Sequence, residues 1–487
     1  MSPFNLETCA RPNILRLQPY RCARDDYKDD GHNVLLDANE NAYGPPLSAT
    51  TAAAVQASLA DLSSASAASS DPDPSSPAAA PPPPPSGASL DLLGLHRYPD
   101  PHQHDLKQLL CNLRNRPDSA SPPLTPANLL VGVGSDETID ALLRAFCVPG
   151  RDAILVCPPT YGMYSVSADV NDVALVRVPL LPAPTFQLDV PAILAKLDES
   201  VAASAAVAAG GSGQPSTSSS TSAGQIIKLL YLCSPGNPTG SLLSASDIAT
   251  ILAHPTWNGL VVVDEAYIDF ATGPDGSSYE TASLAPLVTS PAHPNLVVMQ
   301  TLSKGFGFAG IRLGAAFASP AVAELLNRLK APYNISSPTS ALAQYALSPG
   351  ALARMHANRA RIVAQRERLV RELAGVAGVG RLRGGLASNF LLYEMVNRQG
   401  KPDNEVALRV YERLAEEKGV VVRFRGREVG CEGCLRITIG TEEEVGRFLE
   451  ALRRVLAEVR GGGAAAGGAE EKEEEDKREK EANGVVA

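Results

Sequence analysis

Apolar residues follow two patterns along the chain, and the two patterns alternate. Short apolar runs with few interruptions are typical of strands buried on both faces of a sheet, and they occupy residues 129–133, 153–157, 227–233, 260–263 and 296–300. Apolar residues recur with helical spacing over residues 137–146, 321–329, 351–373, 405–418 and 442–459. This alternation predicts an α/β fold in which helices cover a mostly parallel central sheet.

A second, smaller unit begins near residue 351. A long helix is followed there by a strand at 389–393, a helix, strands at 420–424 and 435–439, and a last helix. We therefore predict a large domain over residues 90–350 and a small α/β C-terminal domain over residues 351–460. Residues 1–57 have too few periodic runs to fold alone, so they are predicted to form an N-terminal arm and the start of the small domain.

Three segments differ from the rest in composition. Residues 58–89 are rich in Ala, Ser and Pro, residues 202–224 in Ala, Gly, Ser and Thr, and residues 461–487 in Gly, Ala and mixed charge. Such compositions supply little apolar surface to bury. We predict that the first two are disordered surface insertions and that the third is a disordered, solvated tail.

Charge and apolar run length exclude several classes of protein. The formal net charge of −10 argues against a nucleic-acid binder, which needs a basic face. The longest apolar runs fall far short of the roughly 20 residues that a membrane helix needs, and no secretory signal is evident at the N-terminus. The eight cysteines are scattered, as in a reduced protein, which predicts a cytoplasmic location.

No metal site is predicted from the candidate ligands. Cys431 and Cys434 form a lone CxxC pair without a second pair of ligands nearby, so a turn before a strand is the better interpretation. His102 and His104 stand at the start of a helix, where exposed histidines are common.

The strongest chemical signal lies in residues 301–312, directly after an apolar strand. Here Ser303 and Lys304 precede a glycine-rich turn that leads to Arg312. A lysine forms a Schiff base when its amine is partly deprotonated, and a nearby cation lowers its pKa and also binds a phosphate.

Polar residues also follow three other predicted strands. Asp264 ends one strand, where it suits either the pyridine nitrogen of a cofactor or the cap of a helix. Asn237, in the proline-flanked segment 234–240, suits a ring hydroxylate but also an ordinary turn. Residues 135–137 join a strand to a helix, and their backbone N–H groups suit a phosphate, although carboxylates at 136 and 137 also cap a helix.

These four segments, in this order, resemble the fold-type I pyridoxal-phosphate-dependent aminotransferases, and the resemblance covers most of the chain outside the three unusual segments. It implies a fold with a large cofactor-binding domain and a smaller C-terminal domain. It also implies that Lys304 binds pyridoxal 5′-phosphate covalently, that Asp264 pairs with the pyridine nitrogen and that Tyr161 stacks on the ring. The further cofactor contacts that it implies are Ser135, Asp136, Glu137, Asn237, Tyr267, Ser303 and Arg312.

More narrowly, the chain is similar to the histidinol-phosphate aminotransferases, a class II family. Five short segments carry this likeness: residues 17–20, 36–41, 97–100, 158–164 and 435–440. It implies a homodimer in which Tyr98 reaches the cofactor phosphate of the neighbouring subunit. The substrate-binding residues that it implies are Tyr20, Asn39, Arg423 and Arg436.

The resemblance implies transamination between L-histidinol phosphate and 2-oxoglutarate, which gives imidazole acetol phosphate and L-glutamate in histidine biosynthesis. Arg436 suits the anionic groups of these small-molecule substrates, although a strand arginine on a solvent face is the alternative. Two other functions stay open: another enzyme of the same fold, such as an aromatic amino-acid aminotransferase or a phospho-amino-acid decarboxylase, and a non-catalytic protein that binds partners.

Overall fold

The computed structural model describes residues 32–48, 93–117, 119–208, 225–272 and 282–461. The predictions for residues 1–31, 58–89, 209–224 and 462–487, and for Tyr20, lie outside the described residues. Thirteen strands are described: β1 Val34–Leu35, β2 Leu129–Val133, β3 Asp152–Val156, β4 Ala174–Arg177, β5 Ile226–Cys233, β6 Leu260–Asp264, β7 Leu296–Thr301, β8 Leu313–Phe317, β9 Val379–Leu382, β10 Phe390–Met395, β11 Val420–Val421, β12 Arg423–Phe424 and β13 Cys434–Thr438.

The α-helices of the described residues pack against these strands. They are α1 His104–Arg114, α2 Gly134–Phe146, α3 Met163–Asn171, α4 Val190–Ala208, α5 Ala245–Leu252, α6 Pro320–Leu329, α7 Ser337–Ala346, α8 Pro349–Leu373, α9 Asn404–Lys418 and α10 Glu442–Gly461. None of the helices in the described part is both long enough and apolar enough to cross a membrane.

A seven-stranded sheet forms the centre of the large domain, in the order β2-β8-β7-β6-β5-β3-β4. Neighbouring strands from β7 to β4 are parallel, whereas β8 is antiparallel to both β7 and β2. The prediction of an α/β fold with a mostly parallel sheet is therefore confirmed.

Both faces of this sheet are buried, which explains why its strands are apolar at almost every position. In β6, Val261 and Val263 contribute to the core on one face, whereas Leu260 and Val262 contribute to the core on the other. Successive strand side chains point to opposite faces, so a strand covered on both sides needs apolar residues at odd and even positions alike.

The small domain is built on an antiparallel sheet in the order β12-β13-β10-β9, with α8, α9 and α10 sharing its core. The predicted strand at 420–424 divides at Val422: β11 pairs in parallel with β1, whereas β12 pairs with β13. The N-terminal segment thus joins the small domain, and Thr438 N donates to Leu36 O at 3.0 Å.

One prediction of disorder is wrong in part. Helix α4 extends to Ala208, so residues 202–208, which were assigned to the disordered segment 202–224, are helical. The reason is that this stretch is rich in alanine, which has the highest intrinsic helix propensity. A composition poor in large apolar residues is therefore compatible with a helix when it is rich in alanine.

Backbone contacts join the two domains beside the predicted Asn237 segment. Gly385 N donates to Thr239 O, and Ala387 N donates to Gly240 O, both at 3.0 Å. These approaches need glycine, because a Cβ at Gly384 would overlap the carbonyl oxygen of Thr239. Gly384 and Gly385 therefore allow the backbones of the two domains to approach closely.

We predict that Gly384→Ala lowers the free energy of unfolding by about 1–3 kcal/mol, because the added methyl group forces the two backbones apart. Urea unfolding followed by circular dichroism measures the change. Gly350→Ala is the matched control, because a Cβ at Gly350 meets no atom within 4 Å. Equal stability of the two variants would contradict the tight approach.

Candidate active site

A cavity of about 350 Å³ lies between the two domains at the carboxyl ends of β5, β6 and β7. Ligand sites of open α/β sheets form at this edge. Most of the predicted site residues line it: Asn39, Ser135, Asp136, Tyr161, Asn237, Asp264, Tyr267, Ser303, Lys304, Arg312, Arg423 and Arg436.

Lys304 follows β7, and its side chain reaches across the cavity to the N-terminal segment. Its Nζ donates to Ala38 O at 2.8 Å. Burial lowers the pKa of Lys304 to about 8, and the positive charges of Arg436 and Arg312 act in the same direction against the opposing effect of Glu40. A substantial fraction of this amine is therefore neutral at slightly alkaline pH, as nucleophilic chemistry requires.

Asp264 is the last residue of β6 and is only 2% exposed. Its Oδ2 accepts from the Tyr164 hydroxyl at 2.7 Å, and its Oδ1 accepts from Ala266 N at 3.1 Å. Asp264 thus caps the turn that follows β6, as one interpretation of the sequence had it, and still presents a carboxylate to the cavity. Burial raises its pKa to about 6, although the hydrogen bond from Tyr164 opposes this rise.

An anion site is formed where α2 begins. The Arg312 guanidinium lies 3.3 Å from Asp136 Oδ2, and Gly134 N donates to Arg312 O at 3.1 Å. Gly134 has a φ of +73°, in the left-handed region that favours glycine. The first backbone N–H groups of a helix have no partner within the helix, and together with Arg312 and Ser303 they suit a phosphate.

Asn237 and Tyr267 are held by contacts from other segments. Asn237 Oδ1 accepts from Arg436 Nη1 at 2.7 Å and from Arg425 Nη2 at 3.2 Å. The Tyr267 hydroxyl accepts from Asn39 Nδ2 at 2.9 Å. Burial raises the pKa of Tyr267 to about 12, so its phenol stays protonated at neutral pH.

Arg436 faces the interior and is 5% exposed, so the alternative of a solvent-facing strand arginine is wrong. It also donates to Asp37 O of the N-terminal segment. Burial, together with the charge of Arg425 and then that of Arg423, lowers the pKa of Arg436 to about 9. An anion bound here would relieve this repulsion between like charges.

Two predicted site residues do not line the cavity. The carboxylate of Glu137 accepts from Val133 N and from Asn334 Nδ2, so the prediction for residue 137 rests on its backbone N–H alone. Tyr98 is 82% exposed, and its ring stacks on Tyr333 with 4.6 Å between centroids. Tyr98 therefore lies outside the cavity of this chain.

Sequence reasoning missed Tyr164 and Arg425. Tyr164 lies one turn after Tyr161 at the start of α3, a spacing that brings the two rings together at 5.6 Å. Arg425 lies two residues after Arg423, a spacing that places strand side chains on the same face. Tyr164 belongs to the segment 158–164 named above, whereas Arg425 directly follows the predicted strand 420–424.

The arrangement can bind a compact, anionic ring compound. It offers an anion site at the start of α2, a carboxylate at Asp264 for a cationic group, and the Lys304 amine between them. Within the described ranges, no group of three or more His, Cys, Asp or Glu side chains is suited to a metal ion. The Cys431 and Cys434 thiols are buried, and each Sγ donates to a nearby carbonyl oxygen.

Comparison with known proteins finds full-length relatives. Residues 35–452 match the family model described as aminotransferase class I and II. The chain is 46% identical to the histidinol-phosphate aminotransferase of Schizosaccharomyces pombe, over 93% of this chain and 98% of the relative. It is 45% identical to the histidinol-phosphate aminotransferase of Candida maltosa, over 94% of this chain and 99% of the relative.

A solved structure shares the fold at lower identity. Histidinol-phosphate aminotransferase from Sinorhizobium meliloti, in complex with pyridoxal-5′-phosphate, superposes with a TM-score of 0.66 at 21% identity. The match covers 93% of this chain and 98% of that one. The prediction of a fold-type I transferase is therefore confirmed.

The raised pKa of Asp264 generates a stability prediction. The folded protein binds this proton more tightly than the unfolded chain does. The free energy of unfolding therefore falls as the pH rises from 3.8 to about 6, and the full loss is about 3 kcal/mol. We expect Asp264→Asn, in ligand-free protein, to raise the free energy of unfolding at pH 8 and to raise it less at pH 5. The Tyr164 hydroxyl can accept from the new amide.

Urea unfolding at the two pH values measures this difference. Asp136→Asn is the matched control, since Asp136 is partly exposed and carries no comparable burial. The same gain at both pH values would mean that Asp264 does not titrate in this range.

Proposed function

Because the chain belongs to the class I and II aminotransferases and, within them, to the histidinol-phosphate aminotransferases, we propose that it transfers the amino group of L-histidinol phosphate to 2-oxoglutarate. The products are imidazole acetol phosphate and L-glutamate, and the reaction is a step of histidine biosynthesis. The observation that carries the proposal is the meeting of Lys304, Asp264 and Arg436 in one cavity between the domains.

The residues of the cavity fit pyridoxal 5′-phosphate. Asp264 is a buried carboxylate in need of a cationic partner, and a pyridinium N–H would supply one. Arg312, Ser303 and the first turn of α2 would hold the phosphate, Asn237 and Tyr267 would contact the ring oxygen, and Tyr161 would stack on the ring. When bound, this cofactor supplies an electron sink for the carbanion that forms at the substrate Cα.

Lys304 has two tasks in this proposal. Its Nζ would hold the cofactor covalently, and as a free amine it would take the proton from the substrate Cα as a general base. The lowered pKa suits both tasks, because an amine that is permanently protonated is neither nucleophile nor base. The cationic neighbours Arg436 and Arg312 favour the neutral form.

Asn237 is oriented for its task by the arginines. Its Oδ1 accepts from Arg436 and Arg425, so its Nδ2 is the group that would donate to the ring oxygen. The Tyr267 hydroxyl accepts from Asn39 and would donate its own proton to the same ring oxygen. Neutral donors at this position stabilise a negative ring oxygen.

Substrate anions are proposed to bind at Arg423 and Arg436 together with Asn39, and the resemblance adds Tyr20, which lies outside the described residues. Histidinol phosphate carries a phosphate and glutamate carries two carboxylates, so one site must accept both kinds of anion in turn. Arginine suits this task because its guanidinium pairs with either anion in a bidentate manner.

We also propose that the protein is a homodimer. Tyr98 projects from the surface beside Tyr333, outside the cavity of its own subunit. We propose that it donates to the cofactor phosphate of the neighbouring subunit. A cytoplasmic location agrees with the free cysteines found among the described residues.

We expect the purified protein, supplied with pyridoxal phosphate and 2-oxoglutarate, to form glutamate much faster from L-histidinol phosphate than from phenylalanine or aspartate. Lys304→Ala should abolish turnover, whereas Lys401→Ala, at an exposed position, should not change it. A preference for phenylalanine would indicate an aromatic aminotransferase. Release of CO₂ without need for a 2-oxo acid would indicate a decarboxylase, and no turnover of any amine would favour a non-catalytic protein.

The pKa of Lys304 predicts how cofactor uptake depends on pH. We expect the rate at which ligand-free protein regains its visible absorbance with pyridoxal phosphate to rise with pH around a midpoint of about 8, since only the neutral amine attacks. Replacing the nearby cation in Arg436→Gln should raise the midpoint. A midpoint near 10.5, the ordinary value for lysine, would contradict the effect of burial.

A further inference from the structure

Arg425 is a third guanidinium on the substrate side of the cavity, beside Arg423 and Arg436. Its Nη2 lies 3.2 Å from Asn237 Oδ1, the same atom that accepts from Arg436 at 2.7 Å. Arg425, which directly follows β12, and Arg436, in β13, therefore converge on one amide oxygen. Like charges so close together are unfavourable unless an anion is bound near them.

Contacts on three sides hold Arg425 in this position. Its Nη1 forms an ion pair with Glu428 Oε1 at 2.6 Å, and both side chains are largely buried, at 21% and 26% exposed. Its backbone N donates to Cys434 O at 2.9 Å, which attaches it to β13 two residues before Arg436. The guanidinium is thus fixed in advance, as selective binding requires.

The arginine cluster of Arg423, Arg425 and Arg436 has more hydrogen-bond donors than the surrounding protein has acceptors for. The Nε atoms of Arg425 and Arg436 are buried and have no hydrogen-bond partner among the described residues. The charge of Arg425 also contributes to the lowered pKa of Arg436. Both observations describe a cationic site that an anion of high charge would complete.

The two half-reactions place different charges in this site. A phosphate monoester carries about −1.5 to −2 at pH 7, whereas each carboxylate of glutamate carries −1. A single additional cation therefore stabilises the phosphate about twice as strongly as one carboxylate, because Coulomb energy scales with the product of the charges.

We propose that Arg425 is a specificity-determining residue that favours the phosphate-bearing amine over the dicarboxylate. It acts by adding a fixed positive charge beside Arg436 where the phosphate binds. This inference rests on the proposed function, since it concerns how the same site distinguishes its two substrates.

The test compares Arg425→Gln with the unchanged enzyme, both loaded with cofactor. We expect kcat/KM to fall about tenfold for histidinol phosphate and about threefold for glutamate. The rate constant depends exponentially on the energy, so twice the lost electrostatic energy gives the square of the fold-change. Arg425→Lys should restore part of the preference, as it keeps the charge. Arg427→Gln is the matched control, since Arg427 is exposed two residues away and does not line the cavity.

A pH profile separates this role from a purely structural one. The phosphate loses one negative charge below its second pKa of about 6. The charged and titratable groups near Arg425 are the same in both proteins: Arg423 and Arg436 line the same cavity, and Glu428 and Cys431 interact with Arg425. The deficit of Arg425→Gln should therefore shrink below pH 6 for histidinol phosphate and stay constant for glutamate.

The possible failures can be told apart. If the unchanged enzyme does not use histidinol phosphate, the proposed function fails. If it does, but Arg425→Gln slows both substrates equally at every pH, the proposed function stands and the role of Arg425 is refuted. An Arg427→Gln variant with the same selective deficit would also refute it, because the effect would then come from net charge.

Discussion

Carbonyl oxygens of the N-terminal segment 37–41 accept hydrogen bonds from the two most important cations of the site. Lys304 donates to Ala38 O, and Arg436 donates to Asp37 O. Asn39 fixes Tyr267 through its side chain and accepts from Asn389 of the small domain through its carbonyl oxygen. Asn41 in turn donates to Gly305 O, beside the lysine. This short segment thus orders residues of both domains around one cavity.

Burial explains most of the electrostatics that follow from this arrangement. It raises the pKa of Asp264 and lowers the pKa values of Lys304 and Arg436, so each group is shifted toward its neutral form. Such shifts cost stability in the ligand-free protein. A ligand that brings groups of opposite charge reverses that cost, and this contributes to its binding free energy.

The sequence was informative wherever the relevant residues are neighbours in the chain. Asp264 could be found because it ends an apolar strand, and Lys304 because it closely follows another; strand ends of a parallel sheet meet at one edge. The parallel pairing of Val34–Leu35 with Val420–Val421 could not be found, because two-residue strands leave no periodic signal. The Tyr164 contact with Asp264 and the Arg425 contact with Asn237 depend on the same kind of long-range approach. The helix at residues 202–208 was missed for a local reason, because alanine is common both in segments that bury little apolar surface and in helices.

The route of the chain through segment 37–41 also couples motion to protonation. Residues 34–35 are part of a small-domain sheet, whereas Lys304 belongs to the large domain. Any separation of the domains therefore removes the Ala38 carbonyl from the lysine and exposes the amine to water. Burial is the largest cause of the lowered pKa of Lys304, so this exposure raises the pKa and favours the ammonium form. By thermodynamic linkage, release of the lysine proton favours the closed cavity.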